Sequence, residues 1–448
     1  MTRLRHEEPR LPGRDVPFLV LCVALGLSLV RSINQPELTV HAAGNSITFV
    51  PADLALVVLA LLCVWRLLDR RTLPRPARAI TATGAAFGLW LLISSAASGS
   101  AAFIGASKLL EYGVVALGII LFVTRRAQLW ILFGVLVLVD AIGVGRALYD
   151  FAHHPGSRQG AFLWEHDLAA LSTMTLVTAL VTLYAPRTRM WWFAAAGLVG
   201  AIGITLGAAL AQLLGLYLAV AAILAIAAVR RSVTVRAIIV TLIVTGAVTA
   251  GTLSIRSGEL GFLQSWFGSK KPEAPGQYAG SWSQRLIYAY IGGRIFLDHP
   301  VFGSGWYGLI PPKVYGKYVA DARRRFPDQP VGYFPYPPAN YIPQQTYDQI
   351  LYELGIVGAA LFLALGVVTV RTAIRVGRDW PPGDRDDALA YLPAAWVASL
   401  AGALAGAALF GGIPLTAIFW FTLGVTAVAP TLLPPARERA PALELAVR

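Results

Sequence analysis

What most constrains this chain is a recurrence running from end to end: apolar blocks near the ~20 residues a helix needs to cross a bilayer, separated by short arginine clusters. The ten-residue alternation of a membrane barrel is absent. With 56% hydrophobic and 14% charged residues and a mean hydropathy of +0.62, the chain is far more apolar than a soluble domain. An all-α integral membrane protein follows, and the blocks number about twelve.

The blocks fall at about Val16–Val30, a second ending near Leu67, Ile80–Ser95, Phe103–Val123 and Leu129–Tyr149, then a sixth. A hairpin of two more over Trp191–Val229 is predicted to turn near Gly207, followed by Ala237–Leu253, Glu353–Val370 and a final pair. Arginines mark every second connection, around Arg70, Arg125, Arg187, Arg230 and Arg375. Both tails are basic as well, through Arg3, Arg5, Arg10 and Arg14 at one end and Arg437 and Arg439 at the other. The positive-inside bias places these clusters and both termini in the cytoplasm. The net charge of +13 therefore reads as an orientation signal and not as a nucleic-acid surface.

The two cysteines, Cys22 and Cys63, sit inside apolar blocks and read as small hydrophobes, without a disulfide or metal role. The first block runs on without a cleavage site and is expected to remain as a span. No GxxxxGK[ST], no GxGxxG in a strand-helix context and no HExxH occurs, so neither a nucleotide nor a metal cofactor is expected.

One stretch breaks the pattern. Ile255 to Gln345 is long and polar enough to fold outside the membrane, which divides the chain into a bundle of about nine helices (1–254), a loop domain (255–345) and the last helices with a tail (346–448). The loop is expected on the outer face, between the ninth and tenth spans. It carries Arg285, Arg294, Lys313, Lys317 and the run Arg323–Arg325, whose forks suit phosphate oxygens. The three-arginine run reads equally well as a solvated or headgroup-facing surface.

Arg285 differs from the others because it opens an aromatic, apolar segment with Leu286, Ile287, Tyr288 and Tyr290. The pattern predicts a helix over Trp282–Leu297 lying across the mouth of the bundle, with Arg285 facing a cavity and needing an anionic partner. Asp298, His299 and Pro300 with Gly303 and Gly305 read as a helix end, a stop and a turn, His299 serving as a cap. From Gly332 to Pro343 aromatics alternate with prolines, giving either a stiff wall for sugar stacking or a loop lying at the bilayer interface.

Three stretches together, Arg285–Gly305, Gln344–Gly358 and Arg158–Ala169, resemble the O-antigen ligase and polymerase superfamily of bacterial envelope glycosyltransferases. The resemblance implies a GT-C-like multi-pass bundle in the bacterial cytoplasmic membrane. It implies transfer of a glycan from a polyprenyl-diphosphate donor to a glycan, lipid or glycolipid acceptor on the outer face, without metal or nucleotide. Arginines would hold the diphosphate and a histidine would activate the acceptor hydroxyl. Carried onto this chain, the loop arginine is Arg285, and the second motif supplies Glu353, Gly355 and Gly358. Arg294, Tyr288, Tyr347 and Glu353 are the further substrate contacts expected.

Two departures qualify the likeness. Where relatives carry His-Asn or His-Ser, this chain has Gln344 and Gln345, and an amide cannot act as a base. Where relatives carry serine-arginine at the outer end of the seventh span, it has Gly207 and Ala208. The replacements expected are His166, flanked by Glu165 and Asp167, or Asp348 as base, and Arg158 as the second clamp. A bland headgroup-level role for His166 also fits. The competing functions are a secondary transporter or flippase of lipid-linked sugars, and a catalytically silent scaffold of the same fold.

Overall fold

The computed structural model describes residues 15–42, 45–70, 77–155, 157–185, 192–256, 280–381 and 386–433, with backbone alone for 41, 42, 45–47, 70 and 280–283. The terminal arginines named above, Arg187, and 257–279 of the polar stretch lie outside the described residues.

In chain order the helices are α1 (Val16–Ser28), α2 (Pro51–Arg70), α3 (Arg78–Ser98), α4 (Ser100–Glu111), α5 (Gly113–Phe122), α6 (Arg126–His153), α7 (Glu165–Tyr184) and α8 (Trp192–Gly207). They continue with α9 (Leu210–Arg230), α10 (Val235–Ile255), α11 (Gly280–Asp298), α12 (Pro312–Arg325), α13 (Thr346–Asp379), α14 (Leu392–Leu404) and α15 (Pro414–Val428). Among the described residues, nine helical segments are long and apolar enough to cross a membrane, α4 with α5 counting as one. Helices α1, α8 and α14 are apolar but shorter. The protein is an all-α membrane protein. A small antiparallel hairpin between α1 and α2, Leu38–Ala42 with Asn45–Phe49, stands where the sequence suggested only a polar loop.

Successive helices run up and down, so their connections gather at two ends. At one, Arg230 bonds the carbonyls of Gly377 and Trp380 and pairs with Asp387, while the Trp130 indole donates to Asp386. At the other, Ser32 donates to Gly412, Asn34 to the Phe162 carbonyl, and Thr346 to the Ala407 carbonyl. The candidate site lies at this second end.

Helices α7 and α8 pack through glycine. A Cβ on Gly203 would stand 2.0 Å from Ser172 Oγ, and one on Gly207 2.6 Å from the Glu165 carbonyl oxygen. Small residues allow this close approach between membrane helices, and here it brings the start of α7 against the end of α8.

At the same end, α11 and α12 form a cap with its own core of Ile287, Ile291, Ile295, Tyr315, Tyr318 and Tyr341. Lys317 and Tyr318 both donate to Asp298, which holds that carboxyl below its usual range and staples α12 to the end of α11. The cap is plugged into a break in α13 at Gly355, whose φ of 67° is left-handed. Carbonyls freed by the break are taken up by Ser304 N (from Tyr352), Gly305 N (from Glu353) and the Trp90 indole (from Leu354), while Ile356 N donates to Pro300. Two motifs far apart in sequence thus form one joint.

Candidate functional site

The site begins with a contorted backbone. The loop entering α7 contains Ala161 (φ 48°) and Trp164 (φ 70°), and the α8–α9 turn contains Ala208 (φ 44°). Left-handed conformations of this kind cost non-glycine residues roughly 1–2 kcal/mol each, and they collect where the surrounding structure holds them for a purpose.

Four arginines from four parts of the chain meet there. Arg158 Nε donates to the Gly207 carbonyl at 3.1 Å and Arg256 Nη1 to the Ala208 carbonyl at 3.0 Å. These carbonyls end α8, so both cations sit at the negative pole of its dipole. Arg31 pairs with buried Asp167 at 2.9 Å and stacks 3.9 Å over the Trp164 ring. Arg285, half-buried on α11, donates to the Gln344 carbonyl at 3.3 Å. The charges of Arg158, Arg285, Arg256 and Arg31 all act on His166. Its Nδ1 is buried and has no hydrogen-bond partner among the described residues.

On its far side Arg285 acts on Asp348, which accepts from Gln349 N at 2.8 Å. The preceding residue, Tyr347, donates to the Ala401 carbonyl and stands at the head of an apolar groove of about 290 Å³ between α13, α14 and α15. Phe362, Leu363, Leu400 and Phe419 line the groove along the spans. A cluster of cations thus adjoins the head of an apolar channel. This arrangement fits an amphiphile with an anionic head and a long apolar tail.

Of the residues singled out from sequence, Arg285, Arg158, His166 and Asp348 come together. Gln344 joins them through its backbone carbonyl, since its side-chain amide turns to the Ile342 carbonyl. Three others have different surroundings. Arg294 points to Asp321 of α12 at 3.4 Å, because nine residues at about 100° each put it on the opposite side of α11 from Arg285. Glu353 is fully buried, and its carboxylate accepts from Tyr307 N, Gly308 N and Gln349 Nε2, so it organises the turn after α11 and offers no face to a ligand. Tyr288 packs its ring 4.8 Å from Tyr341 in the cap core. Arg31 and Arg256 escaped the sequence reading. The legible clue was position, as each is a lone arginine at the end of a span where no orientation signal is expected.

No protein-family model and no curated protein matches this chain. Among the described residues, no cluster of histidine, cysteine or carboxylate side chains is able to hold a metal ion.

Proposed function

We propose that this protein is a glycosyltransferase of the O-antigen ligase and polymerase type. It moves a polyprenyl-diphosphate-linked glycan to an acceptor hydroxyl at the outer face of a bacterial cytoplasmic membrane. The observation that carries this reading is that Arg158 and Arg256 both bond the α8–α9 turn beside which His166 feels their charge and that of Arg285, while Arg285 bonds the Gln344 carbonyl three residues before Tyr347 at the head of the apolar groove. Helices α1, α8 and α14 are read as spans too, giving twelve, with both termini cytoplasmic and the cap outside.

In this reading the polyprenyl chain lies in the groove and its diphosphate sits among the arginines. The acceptor oxygen attacks the anomeric carbon, and the bond from that carbon to the diphosphate oxygen breaks with its electron pair staying on the diphosphate. Arg158, Arg256 and Arg285 stabilise the negative charge that grows there, the kind of preorganised electrostatics that dominates many active sites. Arg256 takes the place left by Gly207 and Ala208, reaching the same turn from the end of α10. Asp348, a carboxylate beside Arg285, is placed to take the hydroxyl proton, while His166 lies among the cations as a hydrogen-bonding group for the diphosphate.

One observation favours transport instead. Asp140 is fully buried in the middle of α6, with Ser172 Oγ donating to one oxygen at 2.6 Å and the other oxygen unpartnered among the described residues. Intramembrane carboxylates often mark ion paths. It lies on the α7–α8 packing seam, away from the groove lining.

The deciding experiment reconstitutes the protein in liposomes with a fluorescent polyprenyl-diphosphate oligosaccharide and an acceptor glycan. Transfer predicts release of polyprenyl diphosphate in step with acceptor elongation. Movement of intact donor between leaflets without bond cleavage would replace this reading with the flippase.

A further inference from the structure

The exposed side of α11 has the wrong composition for water. Leu286 and Leu297 are 62% and 65% exposed, and with Gly293 they lie within about 20° of one line along the helix. The core-facing side is Ile287, Ile291 and Ile295. Between these two faces, Arg285 and Arg294 fall on opposite flanks, each roughly a quarter turn from the leucine line. A helix between protein and water carries polar residues on its outer line. One with an apolar outer line and its charged residues confined to the flanks is built to lie in a membrane interface.

Depth agrees with this. α11 packs on the first part of α13, where Gly292 lies against the Tyr352 ring, above the break at Gly355. Below the break, the apolar run Ile356–Val370 ahead of Arg371 and Arg375 is about 22 Å long at 1.5 Å per residue, so the ~30 Å hydrocarbon core extends about five residues above the break, to about the level of Tyr352. The part of α13 that α11 touches therefore stands at the outer edge of the hydrocarbon core. Past the exposed turn at Asp298–Pro300, Val301 and Phe302 are again apolar and 48% and 49% exposed. Phe302 stacks on Trp90 of α3, beside exposed Leu89 and Ile93.

We infer that α11 is an interfacial helix whose Leu286–Leu297 line is embedded in the outer edge of the bilayer, so that the membrane itself sets the height of Arg285. The partner is the lipid leaflet. This inference depends only on the helix faces and holds whatever chemistry the site performs.

The test uses full-length protein in phosphatidylcholine nanodiscs with Cys22→Ala and Cys63→Ala, carrying a nitroxide at Leu286→Cys or Leu297→Cys. Arg323→Cys on the polar face of α12 is the aqueous control. The expected result is that oxygen, which partitions into lipid, relaxes the Leu286 and Leu297 labels at least about threefold more than a water-soluble nickel chelate does, with the reverse order at Arg323. Stronger relaxation by nickel at both leucines would place the line in water and overturn the inference. Protection from both reagents would overturn it too, because the line would then be covered by protein, either residues 257–279 or a second copy.

Discussion

Gly303 lies so close to the backbone of Glu353 that a methyl group on it would stand 2.2 Å from the Glu353 carbonyl oxygen. Reciprocally, a Cβ on Gly355 would stand 2.2 Å from the Val301 carbonyl oxygen. Both glycines have left-handed φ, 73° and 67°. The joint between cap and bundle is thus made of backbone meeting backbone, where no side chain is able to give way.

Alanine at either position should uncouple the cap. Gly303→Ala and Gly355→Ala each combine the left-handed penalty of about 1–2 kcal/mol with a backbone collision, for a total loss of about 3 kcal/mol or more. Ser304→Ala is the control, since Ser304 contributes its backbone N–H to Tyr352 and its hydroxyl has no partner among the described residues. A lowered melting temperature and faster proteolysis of 280–345 in the glycine variants, with Ser304→Ala near wild type, is expected. Equal behaviour of all three would refute the joint.

The arginines should separate by face. Arg285→Lys keeps the charge and loses the planar fork, and Arg256→Lys does the same at the α8 turn. Each should lower glycan transfer about a hundredfold or more, the scale of removing one preorganised donor, while membrane insertion persists. Arg294→Ala, on the opposite side of α11 and paired across the cap with Asp321, should stay within about threefold. Initial rates of polyprenyl-diphosphate release measure all three.

Asp348→Asn tests proton removal. It keeps the shape and the acceptor for Gln349 N, and should cost on the order of a hundredfold in transfer. His166→Ala should weaken donor binding, raising KM more than it lowers kcat. Gln344→Ala should do little, because Arg285 reads the Gln344 carbonyl and not its amide. A large kcat loss in His166→Ala with a mild Asp348→Asn would exchange the two roles.

The groove offers a variant that costs no packing. Gly366 lines it, and a Cβ there meets nothing within 4 Å, so Gly366→Phe puts a ring into the channel without a clash at the backbone. KM for a long-chain donor should rise about tenfold or more, with the melting temperature unchanged or higher because glycine is a poor helix residue. An unchanged KM would remove the groove as the tail site.

Membrane class, most helix positions, the turn near Gly207 and the helix over Trp282–Leu297 were legible because they depend on local quantities. Apolar length, a glycine turn and a 3.6-residue period are properties of a few neighbouring residues, and the bilayer makes hydrophobic length decisive. Arg285, Arg158, His166 and Asp348 were singled out because they lie in the three stretches that carry the family resemblance. Their mutual placement was not legible. Arg256 reaches Ala208 across an α8–α10 contact, and Arg158 reaches Gly207 because glycines bring α7 and α8 together. Glu353 and Arg294 show the converse. Each is a charged residue within a suggestive stretch, yet one is spent on backbone N–H groups and the other is turned away by nine residues of helical rotation. A charge is written in the sequence, but what it faces depends on which helices pack and at what rotation, and only the tertiary structure decides that.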